Sequence, residues 1–179
     1  YTDNTVEEGE NITIKDITGN GTTVNVTVLN IDRISPEANV TYSTIEPTNQ
    51  NVTVTITANE VIQQVEGWDL SSDGKELTKE YTANTSEEGE NITIKDLAEN
   101  ENTVNVTVLN IDKTAPESTI TYSTLTPTNQ NVVVTIKTNE KIQHAEGWGL
   151  LSSQKELIKE YTENTSKDGE NVIIKDLVG

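Results

Sequence analysis

The sequence predicts an all-β chain built from tandem sandwich modules, on three observations. The chain of 179 residues repeats with a period of 80: Tyr1-Thr-Asp-Asn-Thr5 returns as Tyr81-Thr-Ala-Asn-Thr85 and as Tyr161-Thr-Glu-Asn-Thr165. A period of that length is one small structural unit, so the chain reads as an array and not as a single large fold. Only 32% of the residues are hydrophobic, yet they alternate regularly with polar ones, which argues against disorder. Thr, Val, Ile and Asn dominate while Phe is absent, and β-branched residues suit a pleated, half-buried surface.

The elements follow in order along the complete copy. Asn39-Val-Thr-Tyr-Ser-Thr44 puts Val40 and Tyr42 on one face, and Pro47-Thr-Asn-Gln50 then ends the run, so a strand and a turn are predicted. Val52, Val54 and Ile56 alternate with Thr53, Thr55 and Thr57, the two-residue period of a strand with one buried face. In the next copy Val132, Val134 and Ile136 keep that face while Lys137 replaces Thr57 on the other, which marks the side facing water. Ile62, Val65, Trp68 and Leu70 share no single parity, and Gly67 sits at the change of phase, where a β-bulge is expected.

Leu77 and Tyr81 lie in phase on a further strand, followed by the acidic turn Ser86-Glu-Glu-Gly-Glu90. Ile92 and Ile94, then Val104, Val106 and Val108, alternate with polar residues around a short loop and predict a closing hairpin. Six or seven short strands without helical periodicity form the pattern of a Greek-key sandwich. Asn30-Ile-Asp-Arg-Ile-Ser-Pro36 and Asn110-Ile-Asp-Lys-Thr-Ala-Pro116 read as short, stiff linkers, because proline cannot continue a strand ladder. On this phasing residues 1–33 are the last strands of a first module, 34–113 a complete module, and 114–179 a module without its final strand.

A net charge of −18 repels phosphates and anionic lipid surfaces, so neither nucleic acid nor membrane insertion is expected. No apolar run reaches the roughly 18 residues of a spanning helix. Without Cys there is no disulfide and no thiolate metal site. The one histidine, His144, has Gln64 as its counterpart, and a catalytic site in a repeated unit should recur. With no phosphate loop and no nucleophile–base arrangement, the chain does not read as an enzyme.

The motifs Pro-Thr-Asn-Gln-Asn-Val, Glu-Gly-Trp-x-Leu, Lys-x-Tyr-Thr-x-Asn-Thr, Ile-Lys-Asp-Leu and the linker Asn110-Ile-Asp-Lys-Thr-Ala-Pro116 resemble the bacterial Ig-like, Big-type tandem repeats of Gram-positive cell-surface and adhesin proteins. The resemblance covers the whole chain. It implies tandem Ig-like sandwiches in an extracellular, cell-wall-associated stalk that spaces a binding or catalytic head from the wall. Neighbouring repeats of the same chain would then be its partners, and a host or cell-wall ligand stays unidentified. An adhesin or carbohydrate-binding module acting through end loops is the alternative. Loop drift between Asp69-Leu-Ser-Ser-Asp-Gly74 and Gly149-Leu-Leu-Ser-Ser-Gln154 favours the stalk. A further alternative is an extracellular fibre subunit, joined head-to-tail by pairing of the Thr23–Ile31 strand with the open edge at Asn171–Leu177.

Some repeats of this type bind Ca²⁺ between domains, and Asp32, Glu37, Asp112 and Glu117 near the linkers are the candidate ligands, against a reading as plain solvated charge. Trp68, Trp148, Tyr42, Tyr122, Tyr81 and Tyr161 are read as core, a sugar-stacking platform for the two tryptophans being the competing role. Lys79 and Lys159 share parity with Leu77 and Tyr81. Cell-wall domains of this kind sometimes carry a Lys–Asn isopeptide bond, for which Glu66 would be the assisting acid; a lysine stem snorkelling at the sandwich edge is the preferred account.

Overall fold

The computed structural model describes residues 1–179. It contains twelve strands and no helix: β1 (Glu10–Lys15), β2 (Gly21–Val26), β3 (Ala38–Tyr42), β4 (Val52–Ala58), β5 (Asp69–Leu70), β6 (Glu76–Tyr81), β7 (Glu90–Lys95), β8 (Glu101–Val106), β9 (Ser118–Tyr122), β10 (Val132–Thr138), β11 (Gly149–Leu150) and β12 (Glu156–Tyr161). They form four small antiparallel sheets, an arrangement consistent with a β-sandwich. The order β3-β4-β6-β5 recurs as β9-β10-β12-β11, and β1-β2 and β7-β8 are two-stranded. The chain divides into two compact units, one of Tyr1–Ser43, Thr53–Glu80 and Thr85–Thr107, the other of Thr44–Val52, Tyr81–Asn84 and Val108–Gly179.

In the first unit the alternation read from the sequence sets the burial. Val54 and Ile56 of β4 are fully buried while Thr53 and Thr57 are exposed. Ile92 and Ile94 of β7 and Val106 of β8 are buried in turn, and β8 lies against β3. A crossing segment joins the two layers: Ile62 bridges Asp96, and the Gln63 N–H donates to the Lys95 carbonyl at 2.8 Å. Such inward-facing Val and Ile side chains each contribute about 1.5–3 kcal/mol when fully buried.

Gly67 does not make a bulge inside a continuous strand. Its φ of +77° serves a turn that the Trp68 N–H closes on the Val65 carbonyl at 3.2 Å, and only Asp69 and Leu70 then pair with β6. The phase change seen in the sequence is thus a reversal between segments, which places Trp68 in the interior at 4% exposure.

The β1–β2 hairpin has the register of β7–β8, Glu10 facing Val26 where Glu90 faces Val106. Its surroundings differ, because Ile14 is 59% exposed where its counterpart Ile94 is sealed.

In the second unit Val134, Ile136, Ile142, Trp148 and Leu157 form the core, with Ala145, Leu150, Tyr161, Val172 and Ile174 packed around it. Ile142 bridges Asp176 and the Gln143 N–H donates to the Lys175 carbonyl at 2.9 Å, as Ile62 and Gln63 do in the first unit. Residues 171–175, the counterpart of β7, form no strand. All of β9 is exposed, including Ile120 at 54% and Tyr122 at 50%.

Candidate functional site

Two repeated clusters of chemically capable side chains stand out, each generated once per period. The first gathers carboxylates. Oxygens of Asp32, Glu60 and Asp96 lie within 4.8 Å of one another, and so do those of Asp112, Glu140 and Asp176. Each member of the second set is 80 residues after its counterpart in the first. Asp32 and Asp112, the linker residues singled out from the sequence, are therefore brought into clusters. Glu37 and Glu117 are not. The main chain at Glu37 is instead clasped to Asn59, its N–H donating to Asn59 Oδ1 at 3.0 Å, and Glu117 is held to Asn139 in the same way. That clasp delivers the next residue, Glu60 or Glu140, to the cluster.

The buried member is fixed by the turn it caps. Asp96 is 1% exposed; its Oδ1 accepts the N–H groups of Ala98 at 2.8 Å and Asn100 at 2.9 Å, and its Oδ2 accepts the Asn100 amide at 2.7 Å. Burial opposes its charge, but these donors outweigh burial and hold the carboxyl below the usual carboxylate range. Asp16, the counterpart in the exposed hairpin, receives the same kind of bonds. The side chains of Asn20 and Thr18 are the main cause of a pKa lowered to about 2. Asp176 accepts the Val178 and Gly179 N–H groups at 2.9 and 2.7 Å. Three carboxylates at such spacing repel one another, and the all-oxygen donor set with no His or Cys suits a hard divalent cation of the Ca²⁺ type.

The second cluster surrounds the tryptophans. Lys79 Nζ lies 3.1 Å from Glu90 and 5.8 Å from the Trp68 ring centroid. Lys159 Nζ lies 2.6 Å from Glu170, 5.7 Å from the Trp148 centroid and 5.0 Å from that of Tyr161. Tyr161 donates to Glu170 at 2.7 Å, and its ring meets Trp148 edge to face at 6.4 Å. Tyr1 repeats the contact with Glu10 at 2.9 Å. The bond from Lys159, supported by Tyr161, holds Glu170 below the usual carboxylate range, and Glu170 in turn holds the Lys159 ammonium above its own. Burial first, then Glu170, pushes the Tyr161 phenol up.

The lysine partners are thus Glu90 and Glu170, from the start of the following segment, and not Glu66, which is exposed. The arrangement is a cation seated over an indole and tied to a carboxylate, which closes the sandwich edge. Trp68 and Trp148 lie in the interior at 4% and 5% exposure, and Tyr81 at 6%. Tyr42 and Tyr161 are half-buried. Tyr122 departs from the core reading because no strand lies over β9 as β8 lies over β3. His144 is exposed.

Sequence reasoning missed Glu60, Glu140, Asp96 and Asp176 as cluster members, and Glu90 and Glu170 as lysine partners. The available signal was their exact return after 80 residues beside turn-forming Asn, since Asp96-x-x-x-Asn100 repeats Asp16-x-x-x-Asn20. No protein-family profile, no curated protein and no solved structure matches this chain.

Proposed function

We propose that the chain is a structural spacer: a segment of tandem Ig-like Greek-key modules of the bacterial Ig-like type, in an extracellular, cell-wall-associated protein whose head domain it holds away from the wall. The observation that carries this reading is where the two copies agree and where they differ. They agree at Trp68 and Trp148, Leu77 and Leu157, Lys79 and Lys159, and Glu90 and Glu170, which hold segments of one module together, and they agree at the carboxylate clusters. They differ at the loop of residues 69–74 against 149–154, where a repeated ligand site would demand identity. Buried indoles give no stacking platform for a sugar, so the end-loop binding reading gains no support. A surface of net charge −18 suits a spacer that must not adhere to its neighbours.

Single-molecule pulling on the chain from its two ends tests the proposal. A spacer of independent modules resists force and releases at least one step of about 29 nm, one 80-residue period at about 3.6 Å per residue. Extension without resistance, or one event spanning the whole chain, would overturn it.

A further inference from the structure

Within the second unit, the stretch of chain that follows β3 is stitched to the stretch that follows β8. Thr48 forms a parallel bridge with Ile111: its N–H donates to the Asn110 carbonyl at 2.8 Å, and its own carbonyl accepts the Asp112 N–H at 2.8 Å. The ladders of β3 with β4 and of β7 with β8 are, by contrast, antiparallel.

Side chains reinforce the bridge. The Asn110 amide donates to the Thr44 and Glu46 carbonyls at 3.2 and 2.8 Å. Lys113 Nζ donates to Asn51 Oδ1 and, at 2.9 Å, to the Thr82 carbonyl. Asn84 holds Ile111 from both sides: its Oδ1 accepts the Ile111 N–H at 2.8 Å, and its amide donates to the Ile111 carbonyl at 2.9 Å. Ile111 is 8% exposed, and Val52 and Val108 are sealed, so water has little access to replace these bonds one by one. Residues 110–113, read from the sequence as part of a stiff linker, are thus docked on the loops at 44–51 and 82–84.

The direction of the bridge decides what it can do. Tension along the chain draws the stretch after β3 back toward the N-terminus and residues 110–113 forward toward the C-terminus. Because the two stretches are parallel, these pulls oppose each other along one axis, and the bonds between them are loaded together in shear. A pair pulled apart from one end would instead open one bond at a time. The first unit ties the chain just upstream in the same sense, the Asn102 amide donating to the Pro36 carbonyl at 2.8 Å and the Thr107 N–H to the Tyr42 hydroxyl at 3.3 Å.

We propose that residues 44–51, 82–84 and 110–113 form a force-bearing clamp. Tension passes across the Thr48–Ile111 bridge and bypasses the strands β4 to β8 that lie between these residues in the chain. Once the clamp yields, those strands are released in one event. The clamp rests on the spacer reading for its purpose, since only a chain held under tension needs one.

Pulling at constant velocity on the full chain, held by its two ends, tests the clamp. Asn110→Ala and Lys113→Ala are compared with Val54→Ala, a fully buried position on β4 outside the clamp. Forced unfolding follows the unfolding barrier and not the equilibrium stability, so each clamp variant should lower the rupture force at least about 1.5-fold. Val54→Ala should lower the urea midpoint by more than either clamp variant and leave the rupture force unchanged. An unchanged rupture force in either clamp variant, or an equal fall in Val54→Ala, overturns the clamp and leaves the spacer reading standing. An unaltered chain that extends without resistance overturns both. Should Asn110→Ala lose its β-sheet circular dichroism, Lys113→Ala, at an exposed position, decides alone.

Discussion

Strands β3 to β6 and strands β9 to β12 carry the same sheet order from closely similar sequence, yet their outer faces meet different surroundings. Leu77 and Leu157 are both sealed, as are Ile62 and Ile142, and the tryptophans differ by one per cent. The divergence lies at the first strand: β3 is half-buried beside β8, while β9 is exposed along its whole length. Within each unit, therefore, the interior around the Trp, Leu and crossing Ile forms from the four-stranded sheet and the segment from Glu90 or Glu170 onward. The closing strand β8 covers more than the strip in front of β3: Ile92 and Ile94 beside it are sealed, whereas their counterparts Val172 and Ile174 are only partly buried. The β1–β2 hairpin completes the comparison, since its ladder forms in full while Ile12, Ile14 and Val24 stay exposed. Backbone pairing in this protein does not require burial, but burial requires a second layer.

The largest test of that contrast truncates one position in two settings. Ile94→Ala should lower the unfolding free energy by about 2–4 kcal/mol, and Ile14→Ala by less than about 0.5 kcal/mol, because only the first opens a cavity. Urea denaturation followed by circular dichroism measures both, and equal losses would mean that the two hairpins share one environment.

Glycine substitutions at the acidic turn come next. Gly89→Ala meets left-handed strain at φ +74° and a collision with the following strand, so a loss of about 2–4 kcal/mol is expected. Gly169→Ala, at φ +73° with open space, should lose about 1–2 kcal/mol from strain alone.

The carboxylate clusters, alike in the two units, sharpen the comparison by predicting no contrast. Ca²⁺ in excess should raise the melting temperature more than NaCl of equal ionic strength, by up to about 2.7 kcal/mol of stability at a hundredfold excess over the dissociation constant. Combining Asp32→Asn with Asp112→Asn should remove the difference. Calorimetry with and without EDTA reads this directly, and superimposable melts would leave the clusters as solvated charge.

The smallest effect concerns a loop that drifted. Gly74 has φ +71°, and its counterpart Gln154 keeps φ +57° without the freedom of glycine. Gln154→Gly should therefore stabilise the second unit by about 1 kcal/mol, measured as a rise in the denaturation midpoint. Glu99, at φ +69° where the first hairpin has Gly19, stores strain of the same kind, partly offset by its bonds to Gln63 and Lys95.

Much of the fold was legible because it is local. Which of Val52, Thr53, Val54 and Thr55 faces inward follows from the two-residue period of a strand, and the period of 80 transfers each assignment from one copy to the next. The sequence by itself thus determined the all-β class, the strand parities, the presence of the closing hairpin and the matching of equivalent positions. The tertiary structure alone decided which residues meet through space. Glu60 reaches Asp32 because Asn59 clasps the chain at Glu37, and Glu90 reaches Lys79 because β7 starts beside the end of β6. Gly67 makes a turn where parity suggested a bulge, and Tyr122 lies open where its twin Tyr42 is half-covered. These outcomes depend on how two layers are laid against each other, and alternation within a single strand carries no information about what stands opposite it.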